Sequence, residues 1–308
     1  MDLIQANQDN VVILSELFYQ SDEFMKIFTP VMNKHLIGEK RQRPFCRLSI
    51  CEIMTILVAY QFIGAQNFKQ FYKDIICQFH RNEFPDLVSY QRFIEVSTMA
   101  LLPLSMFIKF RLELAEQTDI YVIDSTPLAV CSNIRINRHC VFSGIAARGK
   151  SSMGWFYGFK LHLVINHLGE LMAFHITAGN IDDRKTVLKL VNRLKGKLIG
   201  DKGYIKKTLT EELLKQGIEL ITTIRKNMKQ KDMPLTNRLL LRKRAVVETV
   251  NDHLKNYFQI EHSRHRSIDG FTINILAALI GYTFYQGKPR MRGVDLESSP
   301  VNPCFQIA

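Results

Sequence analysis

The stretch Asp-Ile-Tyr-Val-Ile-Asp-Ser-Thr-Pro at residues 119–127 marks the point where the character of the chain changes. Ile120 to Ile123 form a short apolar run of the type found in strands, and the polar pair Asp124 and Ser125 follows it. Such a run predicts a buried strand with Asp124 at its carboxyl end. We therefore expect a β-containing domain to begin near residue 118.

The chain beyond this strand alternates between strand-like and helix-like segments. Three apolar runs resemble the first one: Trp155 to Ile165, Leu171 to Ile176, and Leu198-Ile199, which is followed by Gly200 and Asp201. Helical segments are expected after Asp182 and Asp183, over 210–215, over 239–258 and over 270–285, with a further strand over 220–224. This order predicts an α/β fold, with a mixed sheet and flanking helices.

The chain before this domain is predicted to be helical. Ser49 and Glu52 have capping-box spacing and open an apolar run over 53–62. Further helices are expected around 68–79, 90–96 and 101–114. We therefore expect three parts: an all-α module over residues 1–117, the α/β domain over 118–286, and a loose tail over 287–308.

Composition limits the class of protein. The 308 residues are 46% hydrophobic, which excludes a disordered or fibrous chain, and the net charge of +12 indicates a polyanionic partner. The apolar stretches 53–63 and 273–284 are shorter than the ~20 residues of a membrane span, and no secretory signal is evident. The six cysteines are scattered without a C-x-x-C pair, which fits reduced thiols in a cytoplasm. Nucleic acid is therefore a better candidate partner than lipid.

The positive charge is concentrated in two regions. No Asp or Glu occurs between Ser125 and Gly169, and this region includes a small, polar segment over 143–152. We expect that segment to be a loop whose Arg148 and Lys150 approach phosphates. The second region runs from Arg225 to Arg244 and contains a single acid, Asp232. A solvated surface is the alternative explanation for such runs.

Three carboxylates are candidates for a metal site. Asp124 and Asp201 follow predicted strands, and Glu248 is isolated within a basic helical segment. Each aspartate could instead cap a turn, and Glu248 could form an ion pair. Together the three could bind two hard divalent ions such as Mg²⁺, which prefers carboxylate, water and phosphate oxygens. Two such ions can assist an in-line phosphoryl displacement.

Four sequence blocks resemble the DDE-type transposases of bacterial insertion sequences, especially the insertion sequence 982 family. The blocks are Ile123-Asp-Ser-Thr-Pro127, Trp155-Phe-Tyr-Gly-Phe-Lys-Leu-His-Leu163, Gly200-Asp-Lys-Gly-Tyr204, and the spaced set Arg244, Glu248 and Lys255. The resemblance implies an RNase H-like fold in which Asp124, Asp201 and Glu248 are the three catalytic acids and hold Mg²⁺, with Mn²⁺ as a substitute. Leu241 stands where the broader insertion sequence 4 group has a tyrosine.

The resemblance also implies the partners. Double-stranded DNA is expected, both as the terminal inverted repeats of the element and as target DNA, with the enzyme a homodimer on DNA in the bacterial cytoplasm. The helical module would recognise element ends or mediate dimerisation. The expected phosphate-contacting cations are Arg148, Lys150, Lys160, Lys202, Arg244 and Lys255, although Arg244 and Lys255 could simply pair with acids.

Alternative interpretations remain for the function and for several of these residues. A degenerate DNA-binding regulator and a host RNase H-like nuclease without strand transfer are the alternative functions. Asp182 and Asp183 are expected to cap a helix, and His162 is either a site residue or a satisfied strand histidine. Trp155 either belongs to the core or stacks on a base.

Overall fold

The computed structural model describes residues 3–35, 46–63, 65, 67–223, 233–261 and 265–293. Its first part is helical, as predicted. The helices are α1 (Leu3–His35), α2 (Ile50–Ala59), α3 (Phe68–Gln70), α4 (Cys77–Phe79), α5 (Tyr90–Ser97) and α6 (Leu101–Glu113), with a π-helical turn, Phe71–Ile76, joining α3 to α4. Ser49 and Glu52 form the predicted capping box at the start of α2.

The second part is a six-stranded mixed sheet. Its strands are β1 (Ile120–Cys131), β2 (Ala147–Ser151), β3 (Gly154–Asn166), β4 (Leu171–Ala178), β5 (Gly196–Gly200) and β6 (Ile218–Thr222). β1 is antiparallel to β3 and parallel to β5, which is parallel to β6. β2 and β4 both pair antiparallel with β3. This arrangement confirms the predicted RNase H-like mixed sheet.

Helices cover both faces of the sheet. They are α7 (Val187–Leu190), α8 (Lys207–Lys215), α9 (Leu235–Lys243), α10 (Val246–Asp252), which continues as a π-helical turn over His253–Tyr257, and α11 (Ile268–Phe284). One apolar cluster lies beneath α7 and α8, where Ile123 and Val164 meet Leu190 and Leu213. A larger cluster lies on the other face and includes residues of α10 and α11.

The larger cluster joins the helical part to the sheet. Its members range from Leu14 in α1 to Met291 near the end of the described chain. α11 packs against α2 and α6, and Gln61 Nε2 donates a hydrogen bond of 3.2 Å to Asn274 Oδ1. The helical segment and the α/β domain therefore share a core, and the boundary at residue 117 stays a prediction.

Three local predictions were wrong. β1 extends to Cys131, so Asp124 lies within the strand and not at its end. Pro127 is tolerated there because β5 pairs only with Ile120 to Val122, so that among the described residues the following part of that edge has no strand partner. The segment expected to be a loop contains β2, and the long helix expected over 239–258 is divided between α9 and α10.

The start of the predicted loose tail is packed against the domain. The Met291 amide donates 2.8 Å to the His167 carbonyl, and the Met291 side chain is 5% exposed. Gly169 has a φ of +78°, and an added Cβ there would lie 2.1 Å from the Pro289 carbonyl oxygen. Residues 287–293 are therefore not loose, and residues 294–308 lie outside the described chain.

One described stretch, Tyr90–Glu113, is long and apolar enough to cross a membrane by length and composition alone. The core helices of soluble proteins pass the same test, and 44% of this stretch is buried within the structure. Phe107 and Ile108, for example, are fully buried. The stretch is weak evidence for a membrane span.

Candidate catalytic site

Asp124 lies in β1 beneath α10. Asn251 of α10 donates a hydrogen bond from Nδ2 to Asp124 Oδ2 over 3.0 Å. Arg244 Nη1 lies 4.0 Å from Asp124 Oδ1, and the Asp124 side chain is 21% exposed. The carboxylate is thus largely buried but faces a cation and an amide donor.

Asp201 and Glu248 reach the site from two other elements. Asp201 follows β5, the parallel neighbour of β1, and its Oδ1 accepts a 2.9 Å hydrogen bond from the Gly203 amide. Glu248 lies in the first turn of α10, where its Oε1 accepts a 2.7 Å hydrogen bond from Arg244 Nη2. Both alternative roles, a turn cap and an ion pair, are therefore present in the structure.

The electrostatics of Asp124 connect the three acids. The pKa of Asp124 is raised to about 6: burial raises it most, the charge of Arg244 lowers it, and the negative charges of Glu248 and Asp201 raise it. A partly buried carboxylate that is repelled by two other negative charges is stabilised by a cation nearby. Arg244, which contacts both Asp124 and Glu248, supplies that charge.

The carboxylates of Asp124, Asp201 and Glu248 are suitable ligands for a hard divalent ion, but they are not arranged as a metal-binding cluster. Among the described residues, no three His, Cys, Asp or Glu side chains form a group that could hold a metal ion as arranged. The oxygen ligands of three acids are nonetheless the type that Mg²⁺ prefers.

The cations predicted to contact phosphates fall into two groups. Arg244, Lys160 and Lys255 have acidic partners. Arg244 pairs with Glu248, Lys160 Nζ lies 2.9 Å from Asp183 Oδ1, and Lys255 Nζ lies 2.9 Å from Glu261 Oε2. Glu261 also accepts a 2.8 Å hydrogen bond from the Ala129 amide. The second group is exposed and consists of Arg148, Lys150 and Lys202.

Asp182 and Asp183 behave differently from each other. Asp182 caps the short helical turn Asp183–Lys185 and pairs with Arg184, as expected of a cap. Asp183 instead pairs with Lys160 and lies 3.9 Å from His162 Nδ1. His162 is fully buried, its Nε2 hydrogen-bonds Thr177 Oγ1 over 2.8 Å, and burial lowers its pKa to about 4.

Two neighbours of the acids were not anticipated from the sequence. Asn251 binds Asp124 directly, and Tyr204 is buried close enough to Asp124 and Asp201 for their charges to raise its pKa. Asn251 lies three residues after Glu248, a spacing that places both on one side of a helix. This spacing is the feature of the sequence from which Asn251 could have been predicted as a neighbour of the acids. Part of the second basic region, residues 225–232, lies outside the described chain, as do residues 224 and 262–264.

Comparison with known families identifies the class of protein. A family model described as a transposase DDE domain matches residues 114–268, which is half of the chain. The chain therefore belongs to the DDE-domain transposase family. This membership implies the enzymatic activity of a transposase.

Among solved structures, a similar one is described as a cryo-EM structure of piggyBac transposase in a synaptic complex with hairpin DNA. The identity is 10%, the TM-score is 0.48, and the match covers 89% of this chain and 72% of that one. A comparison with curated proteins finds no match.

Proposed function

We propose that this chain is the DNA transposase of an insertion sequence similar to the insertion sequence 982 family. It would cleave DNA at the ends of the element and transfer the freed strands to target DNA. The observation that supports this most directly is that Arg244 lies beside both Asp124 and Glu248, with Asp201 at the end of the strand next to β1, all inside the segment that matches the DDE domain.

Asp124, Asp201 and Glu248 would hold divalent ions, with Mg²⁺ the natural choice and Mn²⁺ a substitute. When bound, two such ions activate an attacking oxygen and stabilise the leaving one. Asn251 would keep the Asp124 carboxylate oriented through its amide donor. Arg244 would release the carboxylates and turn to a DNA phosphate, since a guanidinium binds both kinds of oxyanion well.

The substrate would be double-stranded DNA, first the terminal inverted repeats and then the target. We propose that Arg148, Lys150 and Lys202 contact phosphates, and that Arg244 does so once metal ions replace it at Asp124 and Glu248. Lys160 and Lys255 would contribute less, because Asp183 and Glu261 hold them. Residues 1–117 would recognise the ends or join two copies into a homodimer on DNA, in the bacterial cytoplasm at the nucleoid. Residues 118–286 would form the catalytic domain.

The decisive experiment replaces each acid by its amide: Asp124→Asn, Asp201→Asn and Glu248→Gln. The substrate is a plasmid that carries the reading frame together with its flanking DNA, incubated with Mg²⁺. Each variant should lose strand cleavage and keep DNA binding, because an incomplete set of anionic ligands cannot align both reacting oxygens. Asp252→Asn, an exposed acid on the same helix, is the matched control and should cleave normally.

The outcomes separate this proposal from its rivals. Near-normal cleavage by any of the three variants removes that residue from the site. DNA binding by the wild-type protein without any cleavage favours a degenerate DNA-binding regulator. Cleavage without joining of the freed ends to a target plasmid favours a nuclease that lacks strand transfer.

A further inference from the structure

The hairpin of β2 and β3 presents aromatic side chains beside cations. In its antiparallel register Lys150 lies opposite Trp155, and Arg148 lies opposite Tyr157. Residues directly opposite in such a pair project from the same face of the sheet. These four side chains therefore share one face, while Phe156, on the other face, is buried.

Large apolar side chains on and beside this hairpin are exposed to solvent. Trp155 is 62% exposed, and Met153, at the turn between the two strands, is 93% exposed. Ile134 is 95% exposed and belongs to a helical turn tied to β3 through a 2.8 Å hydrogen bond from Asn133 Nδ2 to the Trp155 carbonyl. Large apolar side chains exposed on one hairpin and on the turn tied to it favour a binding surface there.

The surrounding charge indicates what binds there. The chain has no acidic residue between Ser125 and Gly169, and Arg135, Arg138, Arg148 and Lys150 are all exposed. Lys150 Nζ lies 5.8 Å from the centre of the Trp155 ring, within the range of a cation–π interaction. A polyanion with flat apolar groups complements both features, and nucleic acid is such a polyanion.

We propose that this surface, the hairpin platform of Arg148, Lys150, Met153 and Trp155, binds an unstacked base of the DNA substrate. Trp155 stacks on the base, and Arg148 and Lys150 hold the flanking phosphates. The inference rests on the proposed function, since it concerns the DNA on which a transposase acts. Aromatic side chains among cations bind splayed bases of any sequence, whereas a fully paired duplex needs only the cations.

Trp155 is the only tryptophan in the chain, so the emission of the wild-type protein reports on the platform directly. The probes are a short duplex with one central unpaired thymine and the same duplex fully paired. We expect the unpaired probe to quench Trp155 emission more strongly than the paired one. An emission spectrum that saturating DNA leaves unchanged overturns the proposal.

Variants test the same point through affinity. Trp155→Ala should weaken binding of the unpaired probe roughly tenfold and leave the paired probe unaffected, because only the stacking contact is lost. Trp155→Phe should retain most of the affinity. Leu214→Ala, an apolar side chain 67% exposed on α8, is the matched control and should change neither. Equal losses for both probes overturn the proposal.

The experiment distinguishes this inference from the proposed function. If the wild-type protein binds neither probe and does not cleave the plasmid with flanking DNA, both the transposase assignment and the platform are overturned. If it cleaves the plasmid with flanking DNA but Trp155 does not respond to either probe, only the platform is overturned.

Discussion

Asp124 owes its orientation and charge to side chains of the α9–α10 region. Asn251 donates a hydrogen bond to it, and Arg244 lies near it while pairing with Glu248. Burial raises the pKa of Asp124 to about 6 although Arg244 lowers it, so the charge of this carboxylate depends on the cations beside it. Changes in these neighbours should therefore affect cleavage more than folding.

Asn251→Ala should slow DNA cleavage about tenfold without weakening DNA binding. The substitution removes a hydrogen bond to a charged group, worth about 1.5 kcal/mol, and leaves Asp124 free to rotate. Single-turnover cleavage rates and filter-binding affinities measure the two effects. Asn256→Ala, an exposed amide further along the same helical segment, is the control. Equal rates for the two variants would assign Asn251 a purely structural role.

Lys255→Ala should lower the melting temperature more than it changes DNA binding. The substitution leaves the partly buried Glu261 without its 2.9 Å ion-pair partner. Arg148→Ala, at an exposed site, should instead reduce the slope of log K against log salt by about 0.9. Thermal melting curves measure the change in stability of both variants, and binding titrations at several salt concentrations measure the slope. A normal melting temperature with a reduced slope for Lys255→Ala would make it a phosphate contact.

The identities of the candidate acids could be predicted from the sequence, but their local partners could not. The run before Asp124 and the isolation of Glu248 in a basic segment are visible in the sequence. The pairing of Lys255 with Glu261 depends on the π-helical turn that follows α10, and no residue pattern indicated that turn. Partners across such irregular backbone are set by tertiary packing.

At the scale of elements, helix starts were predicted better than strand ends. Ser49 and Glu52 determine the start of α2 through hydrogen bonds within four residues of chain, so local sequence contains the whole signal. The carboxyl-terminal half of β1 is a strand because β3, with partners 26 to 35 residues later in the sequence, pairs with it. Because Pro127 and the polar residues around it are not typical of a strand, the local sequence does not predict that pairing.

Ser49→Ala should destabilise the protein by about 1 kcal/mol. The Ser49 hydroxyl accepts a 3.1 Å hydrogen bond from the Glu52 amide, and its loss leaves an unsatisfied donor at the start of α2. Chemical denaturation with urea measures the change. Ser132→Ala is the control, because Ser132 precedes a helical turn without capping it through its side chain. If Ser49→Ala and Ser132→Ala were equally stable, the Ser49 cap would contribute nothing measurable to stability.

At the scale of the molecule, the described chain has a shared core between its helical and α/β parts. α11 is in contact with α2 and α6, and the Tyr282 hydroxyl donates 2.8 Å to the Gly169 carbonyl in the loop between β3 and β4. Removing either part would expose the apolar surface of α11. The two parts should therefore unfold together.

Leu104→Ala should lower the temperature of a single unfolding transition. Leu104 is fully buried in α6, and its truncation costs about 2–5 kcal/mol. Calorimetry should show one peak whose calorimetric and van't Hoff enthalpies agree, before and after the substitution. Leu102→Ala, 50% exposed on the same helix, should move the peak little. Two peaks, of which only one moves, would establish independent domains.

β3 fixes the distance between the candidate catalytic acids and the hairpin platform, the two places where DNA would be bound. Leu163 pairs with Asp124, and Trp155 lies eight residues away on the same strand, which has neighbours along both edges. Eight residues span about 26 Å, close to the rise of eight base pairs at 3.4 Å each. One base pair inserted between the two contacts would turn a duplex by roughly 35°. Helical phase, as well as sequence, would then decide which substrates fit.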